Sequence, residues 1–192
     1  MKKTMQFVMV LMVATSLLFT QYAQSQISYG VKGGLNLATV GGSDVRDADT
    51  RMGFHAGGFL GLSLLGLAAF EGGVYFSQKG NVESGLADIE VISTYIDIPI
   101  VAKISFLPFT HIFAGPQFSF LLNSKVSYPD GDLDISDLTN STDLAAVVGL
   151  GMNLPMGLRL SAGYDFGLVS VDAVDESKVY NRVIKLTVGY KF

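Results

Sequence analysis

The sequence predicts an all-β protein, an eight-stranded antiparallel up-and-down transmembrane β-barrel. Three observations carry that prediction. Apolar residues recur at every second position in eight separate segments, the connections between segments alternate strictly between long and short, and the acids concentrate in the long ones. Composition agrees: of 192 residues, 49% are hydrophobic and only 16% charged, against about 25% charged in a typical soluble domain. After the N-terminus, however, no uncharged apolar run reaches the roughly 18 residues that a spanning helix needs. A chain this apolar without such a helix meets the membrane with strands.

The first element is a leader. Met1-Lys2-Lys3 is basic, Phe7 to Phe19 is apolar, and Ala23-Gln24-Ser25 places small side chains for cleavage before Gln26, the pattern of a secretory signal peptide. Residues 1–25 are therefore expected to be cleaved, leaving 26–192 as an exported barrel domain. The alternative is an N-terminal helix that stays attached.

The strands follow in order. One parity reads Ile27, Tyr29, Val31, Gly33, Leu35 and Leu37, then Met52, Phe54, Ala56, Gly58, Leu60 and Leu62. The third segment gives Phe70, Gly72, Val74 and Phe76, and the fourth Ile92, Ile96, Ile98, Ile100, Ala102 and Ile104. The fifth runs from Ile112 to Leu122 and the sixth from Leu144 to Met152, again on even numbers. Leu158 to Leu168 and Ile184 to Phe192 complete the set. A period of two marks a strand; a helix would place apolar residues at i, i+3 and i+4. Segments of this length suit a tilted membrane crossing of about 9–11 residues.

The other parity carries Lys32, Glu71, Lys79, Asp97, Lys103, Asp143, Arg159, Asp165, Lys185 and Lys191, with Asn36, Ser77, Gln117 and Thr187 among the neutral polar residues. Twelve of the 22 glycines share it, as befits the crowded interior of an eight-stranded barrel. Glu71 and Lys103, near the short-turn end of neighbouring strands, are expected to pair. Parity separates two faces without labelling them, so a soluble lipocalin-like barrel with a greasy pocket stays open. Ten charges are sparse for a water-facing wall, which would carry roughly a quarter to a third.

The connections test the membrane reading. Residues 38–51, 80–90, 123–142 and 169–181 are long; 63–66, 105–110 and 155–157 are short. Thirteen of the 17 acids lie in the long connections and none in the short ones. Long loops on one side and tight turns on the other are the arrangement of outer-membrane barrels, which puts both termini in the periplasm. Pro99 and Pro116 remove ladder donors where no sheet edge exists, so a bulge is expected at each.

Several stretches carry a resemblance. Tyr29-Gly30-Val31-Lys32-Gly33-Gly34-Leu35-Asn36-Leu37 resembles the first strand of the PorT-like family of outer-membrane β-barrels. Tyr95 to Lys103 (YIDIPIVAK), Phe113 to Leu122 (FAGPQFSFLL) and Val148-Gly149-Leu150-Gly151 are similar to further patterns of that family. The resemblance spans residues 26–192 and implies an eight-stranded barrel in a Gram-negative outer membrane. The final strand, Lys185 to Phe192, resembles the signal by which the outer-membrane assembly machinery recognises its substrates, with Phe192 as its terminal aromatic.

Chemistry is sparse. Zero cysteines exclude disulfides and thiolate sites, and a net charge of −4 gives no basic face for nucleic acid. His55 and His111 have inward parity and are expected at opposite ends, His55 near the loops and His111 near the turns. Asp130-Gly131-Asp132-Leu133-Asp134 resembles the start of a calcium loop, but the glycine and glutamate required further on are replaced by Ile135 and Ser141. An acidic surface loop is the simpler reading, with a cation bridge to lipopolysaccharide as the other. No phosphate-binding loop follows the paired glycines.

The expectation is a non-enzymatic outer-membrane barrel with acidic outer loops, structural, adhesive or an accessory subunit of an envelope complex. The alternatives are a rim-active hydrolase and a narrow-solute channel. No catalytic residue, metal site or cofactor is expected, and no binding residue is identified. The partners expected are outer-membrane lipid and lipopolysaccharide, the assembly machinery and envelope proteins.

Overall fold

The computed structural model describes residues 27–42, 48–64, 67–83, 89–128, 131–170 and 179–192. The proposed leader, residues 1–25, lies outside these, as do parts of every long connection. Nine strands form: β1 (Ile27–Gly41), β2 (Ala48–Leu64), β3 (Ala68–Glu83), β4 (Ile89–Leu107), β5 (Thr110–Tyr128), β6 (Gly131–Asp134), β7 (Thr142–Asn153), β8 (Leu158–Gly167) and β9 (Tyr180–Lys191). Eight of them pair antiparallel with their neighbours around a closed ring, in which β1 meets β9 and β4 meets β5. The short β6 adds to the loop end of β5 and lies outside the ring. No helix among the described residues is long and apolar enough to cross a membrane.

The two parities take the faces expected of a membrane barrel. Ile27, Leu60, Val74, Ile104, Leu150 and Val188 are exposed, while Asn36, Glu71, Lys79, Asp97, Gln117 and Asp165 are buried. Apolar side chains outward and polar ones inward invert the soluble arrangement, and the exposed apolar wall excludes the lipocalin-like alternative. Aromatic side chains gather toward both ends of this wall. Phe192 stacks on Tyr29 and Tyr190 near the turns, and Phe54–Phe76 and Tyr164–Phe166 pair toward the loops.

The strands are longer than their alternation suggested. β4 and β5 each have 19 residues, so both run well past the roughly 9–11 that a crossing requires. Much of what reads as long loop is therefore strand standing beyond the apolar band. In the 123–142 connection, β5 continues to Tyr128, β6 folds back on it, and a 3-10 turn follows at Ser136–Leu138. The polar sequence there hides the strands, because they have no lipid face to make them apolar.

The bulges do not fall on the prolines. Pro99 stays in register with Gln117, and Pro116 with Ala146. Each proline instead leaves a short lapse in one ladder: pairing of β3 with β4 skips from Gly72↔Ile100 to Tyr75↔Asp97, and pairing of β4 with β5 skips from Pro99↔Gln117 to Ala102↔Ala114. A missing donor thus costs local hydrogen bonds without an inserted residue. The register shifts lie elsewhere, between Thr50 and His55, Thr94 and Tyr95, and Ser105 and Leu107. At the second of these Leu122 is the extra residue, and beyond it the inward parity of β5 switches, burying Ser124 against Ser93.

Candidate functional site: the barrel lumen

The lumen is the only place where the alternation brings many chemically capable side chains together among the described residues. Two ionic clusters fill it. Toward the turns, Glu71 on β3 accepts from Lys103 on β4, from Arg159 on β8 at 2.8 Å and from Lys32 on β1. The expected Glu71–Lys103 pair is thus present, as one limb of a larger set. Lys32 and Arg159 also each lie 4.7 Å from the centroid of the buried Phe59 ring, a cation–π contact on either cation.

Toward the loops, three carboxylates share two lysines. Lys79 lies 2.9 Å from Asp97 and 3.8 Å from Asp143; Lys185 lies 3.0 Å from Asp97 and 2.6 Å from Asp165. Gln117 bridges them, donating to Asp165 at 3.1 Å and accepting from Lys185 at 3.0 Å. Asn181 donates to Asp143, and Lys79 to Ser119. These groups come from six strands, so the network ties opposite walls of the barrel together. Between the clusters a cavity of about 90 Å³ remains, room for a few waters at most.

The two histidines serve this interior differently from one another. His55 stands mid-strand, because β2 begins at Ala48, rather than at the loop end. Its Nδ1 lies 2.7 Å from Asn36 Oδ1 and its Nε2 3.0 Å from Thr187 Oγ. The Asn36 amide nitrogen donates to Ser77 and to Gln78 O, which leaves Asn36 Oδ1 facing the ring. That oxygen can only accept, so Nδ1 carries the proton and Nε2 accepts from Thr187. His111 sits beside Asn153 near the turns, as expected, but both histidines line the same mid-lumen cavity.

Sequence reasoning missed the inward aromatics. Phe59, Tyr75, Tyr95 and Phe113 occupy the polar parity and point into the lumen, with Lys79 4.6 Å from the Tyr95 ring centroid. The available signal was a large ring flanked by inward glycines. A Cβ at Gly149 would come within 2.3 Å of Phe113, and one at Gly30 within 2.7 Å of Phe59. Glycine faces the Phe59, Tyr75 and Phe113 rings because nothing larger fits opposite them; Tyr95 lies between Ser93 and Asp97 instead.

In the acidic loop, Asp132 accepts from Lys125 and Ser127, and Asp134 accepts from the Ser136 amide. Their carboxylates are directed to their own hairpin and do not converge. Among the described residues, no three His, Cys, Asp or Glu side chains are grouped to hold a metal ion.

Comparison with known proteins agrees with this geometry. A family model described as the outer membrane protein beta-barrel domain matches residues 21–173. The chain belongs to that family. No characterised protein of similar sequence matches it. Among solved structures, it is similar to Neisserial surface protein A (NspA), with a TM-score of 0.56 and 16% identity, covering 85% of this chain and 95% of that one. It is also similar to Ail, the attachment invasion locus protein of Yersinia pestis, with a TM-score of 0.55 and 15% identity over 87% of this chain and 99% of Ail. At that identity the likeness is one of fold. With the family match, it places this barrel in an outer membrane.

Proposed function

We propose that this outer-membrane barrel is a non-enzymatic surface protein, structural or adhesive, or an accessory subunit of an envelope complex. The observation that carries this reading is the lumen, where paired charges from six strands meet across a gap of only about 90 Å³. The histidines support the non-enzymatic part. Both His55 ring nitrogens are engaged by neutral partners, and neither histidine is hydrogen-bonded to a serine hydroxyl or a carboxylate among the described residues. A general base needs such an arrangement to activate a nucleophile.

The finer assignment, membership in the PorT-like group, rests on the stretches Tyr29–Leu37, Tyr95–Lys103 and Phe113–Leu122. Adhesion, if it is the role, takes a different ligand from the one in a structure of Ail, which holds the heparin analogue sucrose octasulfate. A polyanion needs a cationic surface, and the long connections here carry 13 acids against Arg46, Arg51, Lys125 and Lys178. Neutral or cationic surfaces suit these loops. Lipid and lipopolysaccharide surround the apolar wall in this reading.

The test pairs two measurements on the native protein. Planar bilayers are expected to show no steady conductance, and cross-linking in intact outer membranes is expected to capture a defined envelope partner. Steady single-channel currents would instead establish the narrow-solute channel.

A further inference from the structure

The turn end of the lumen has an imbalance that nothing within the barrel offsets. Lys32, Lys103 and Arg159 converge on one carboxylate, Glu71. At the rim, Lys191 has no ion-pair partner among the described residues. Three cations therefore share one carboxylate inside a barrel whose outer wall is apolar, with a fourth, half-buried, at the rim beyond them. Uncompensated charge in such a setting is costly, and a bound anion would offset it.

The space for one exists at this end. A cavity of about 470 Å³ lies beside the Glu71 cluster, lined by Lys103, Arg159 and Lys191 against the single carboxylate Glu71, with His111, Asn153 and the hydroxyls of Ser28, Ser63 and Ser105. It is far larger than the mid-lumen gap of about 90 Å³, and it brings Lys191 and three serine hydroxyls next to the exposed side of the Glu71 network. At the opposite end Ile135, Leu138 and Thr139 lie over Ser93, Tyr95 and Asn181, around a separate space of about 240 Å³. The Ser136 hydroxyl bonds Ser124 there, and Asn140 bonds Ser170 O. The basic cavity thus lies at the short-turn end of the lumen, which in an outer-membrane barrel is the periplasmic end.

We propose that this chamber is a binding site for a phosphate-bearing anion entering from the periplasmic side. A phosphate group brings up to two negative charges and three acceptor oxygens. Arg159 offers the planar donor fork that matches phosphate oxygens, Lys103 and Lys191 add point charges, and the three serine hydroxyls supply neutral donors. The opposite cluster offers nothing comparable: there three carboxylates outnumber two lysines, so an anion would be repelled.

The inference is tested on the protein purified from outer membranes in a neutral detergent, by following backbone amide shifts during titration with inorganic phosphate, and separately with dihexanoyl phosphatidylglycerol. Chloride at equal ionic strength is the reference. Saturable shifts confined to Ser28, Ser63, Ser105, His111 and Arg159 are expected. Response to both probes identifies a free phosphate site, and response to the lipid alone identifies a headgroup site. Arg159→Gln is expected to weaken binding about tenfold or more, the scale of one charge-assisted hydrogen bond. Should that variant fail to fold, Lys191→Gln at the unpaired rim removes a charge without disturbing the network and is expected to weaken binding severalfold. Lys125→Gln at the far end is expected to change nothing. Absence of saturable shifts with either probe, or affinity unchanged in the Lys191 variant, would overturn the proposal.

Discussion

At the scale of single residues, Glu71 and Phe109 show how far a side chain's role depends on what surrounds it. Glu71 is the one carboxylate among three cations. Glu71→Gln keeps the shape but leaves those cations facing one another, and breaking a buried pair from one side costs about 3–5 kcal/mol. A lowered midpoint in denaturant-induced unfolding of the detergent-solubilised barrel is the expected result; an unchanged midpoint would mean that water, not Glu71, balances the cluster. Phe109 closes the β4–β5 turn after Pro108 with φ 67°, a left-handed conformation for a non-glycine residue. Such a residue stores about 1–2 kcal/mol of strain, and its exposed ring is placed to anchor in the interface. Phe109→Gly should therefore raise stability by up to that amount in detergent, with a smaller gain in lipid bilayers, where the anchor counts.

At the scale of elements, β9 and the β5–β6 hairpin present two different problems. β9 closes the ring against β1, and the residue just after it, Phe192, donates its amide to Tyr29 O at 3.0 Å and stacks on the Tyr29 ring. We propose that Phe192 also reports the strand to the assembly machinery. Deleting it is then expected to lower outer-membrane yield while leaving refolding in detergent nearly intact; equal losses in both assays would reduce its role to packing. The hairpin is held by exposed carboxylates. The hydrogen bond from Lys125, and then that from Ser127, hold the Asp132 carboxyl below its ordinary range, and the Ser136 hydroxyl and amide do the same for Asp134. A depressed value means that the stabilisation is complete above the ordinary aspartate value of about 3.9 and disappears as pH falls through the folded-state value. Amide protection in 131–136, taken relative to the intrinsic exchange rate at each pH, should accordingly fall as the pH drops below about 4, while the ring strands stay protected.

The hairpin and the lumen also show what alternation does and does not disclose. Period two is visible where one face meets lipid, so Ile27 to Leu37 and Ile184 to Phe192 announce themselves. Above the apolar band both faces meet water, the contrast vanishes, and the outer halves of β4 and β5 read as loop. Leu121-Leu122 was the one local sign of the bulge that switches parity in β5. Glu71 with Lys103 was legible because the two belong to neighbouring strands near one turn. Lys32 and Arg159 were not, because they reach Glu71 across the lumen from other walls, and only closure of the ring brings them there.

At the scale of the whole molecule, the sequence by itself determined the address, the fold class and the inward parity of the charged side chains. Those follow from short-range rules: hydrophobic length, a period of two and the order of long and short connections. Only the tertiary structure decided how the inward charges divide. They separate into a cation-rich chamber at the turn end and a carboxylate-rich cluster toward the loops, with about 90 Å³ between. The physical reason is that barrel closure and strand stagger set which residues of distant strands share a level. No count of charges along the chain contains that stagger, and the character of each end depends on it.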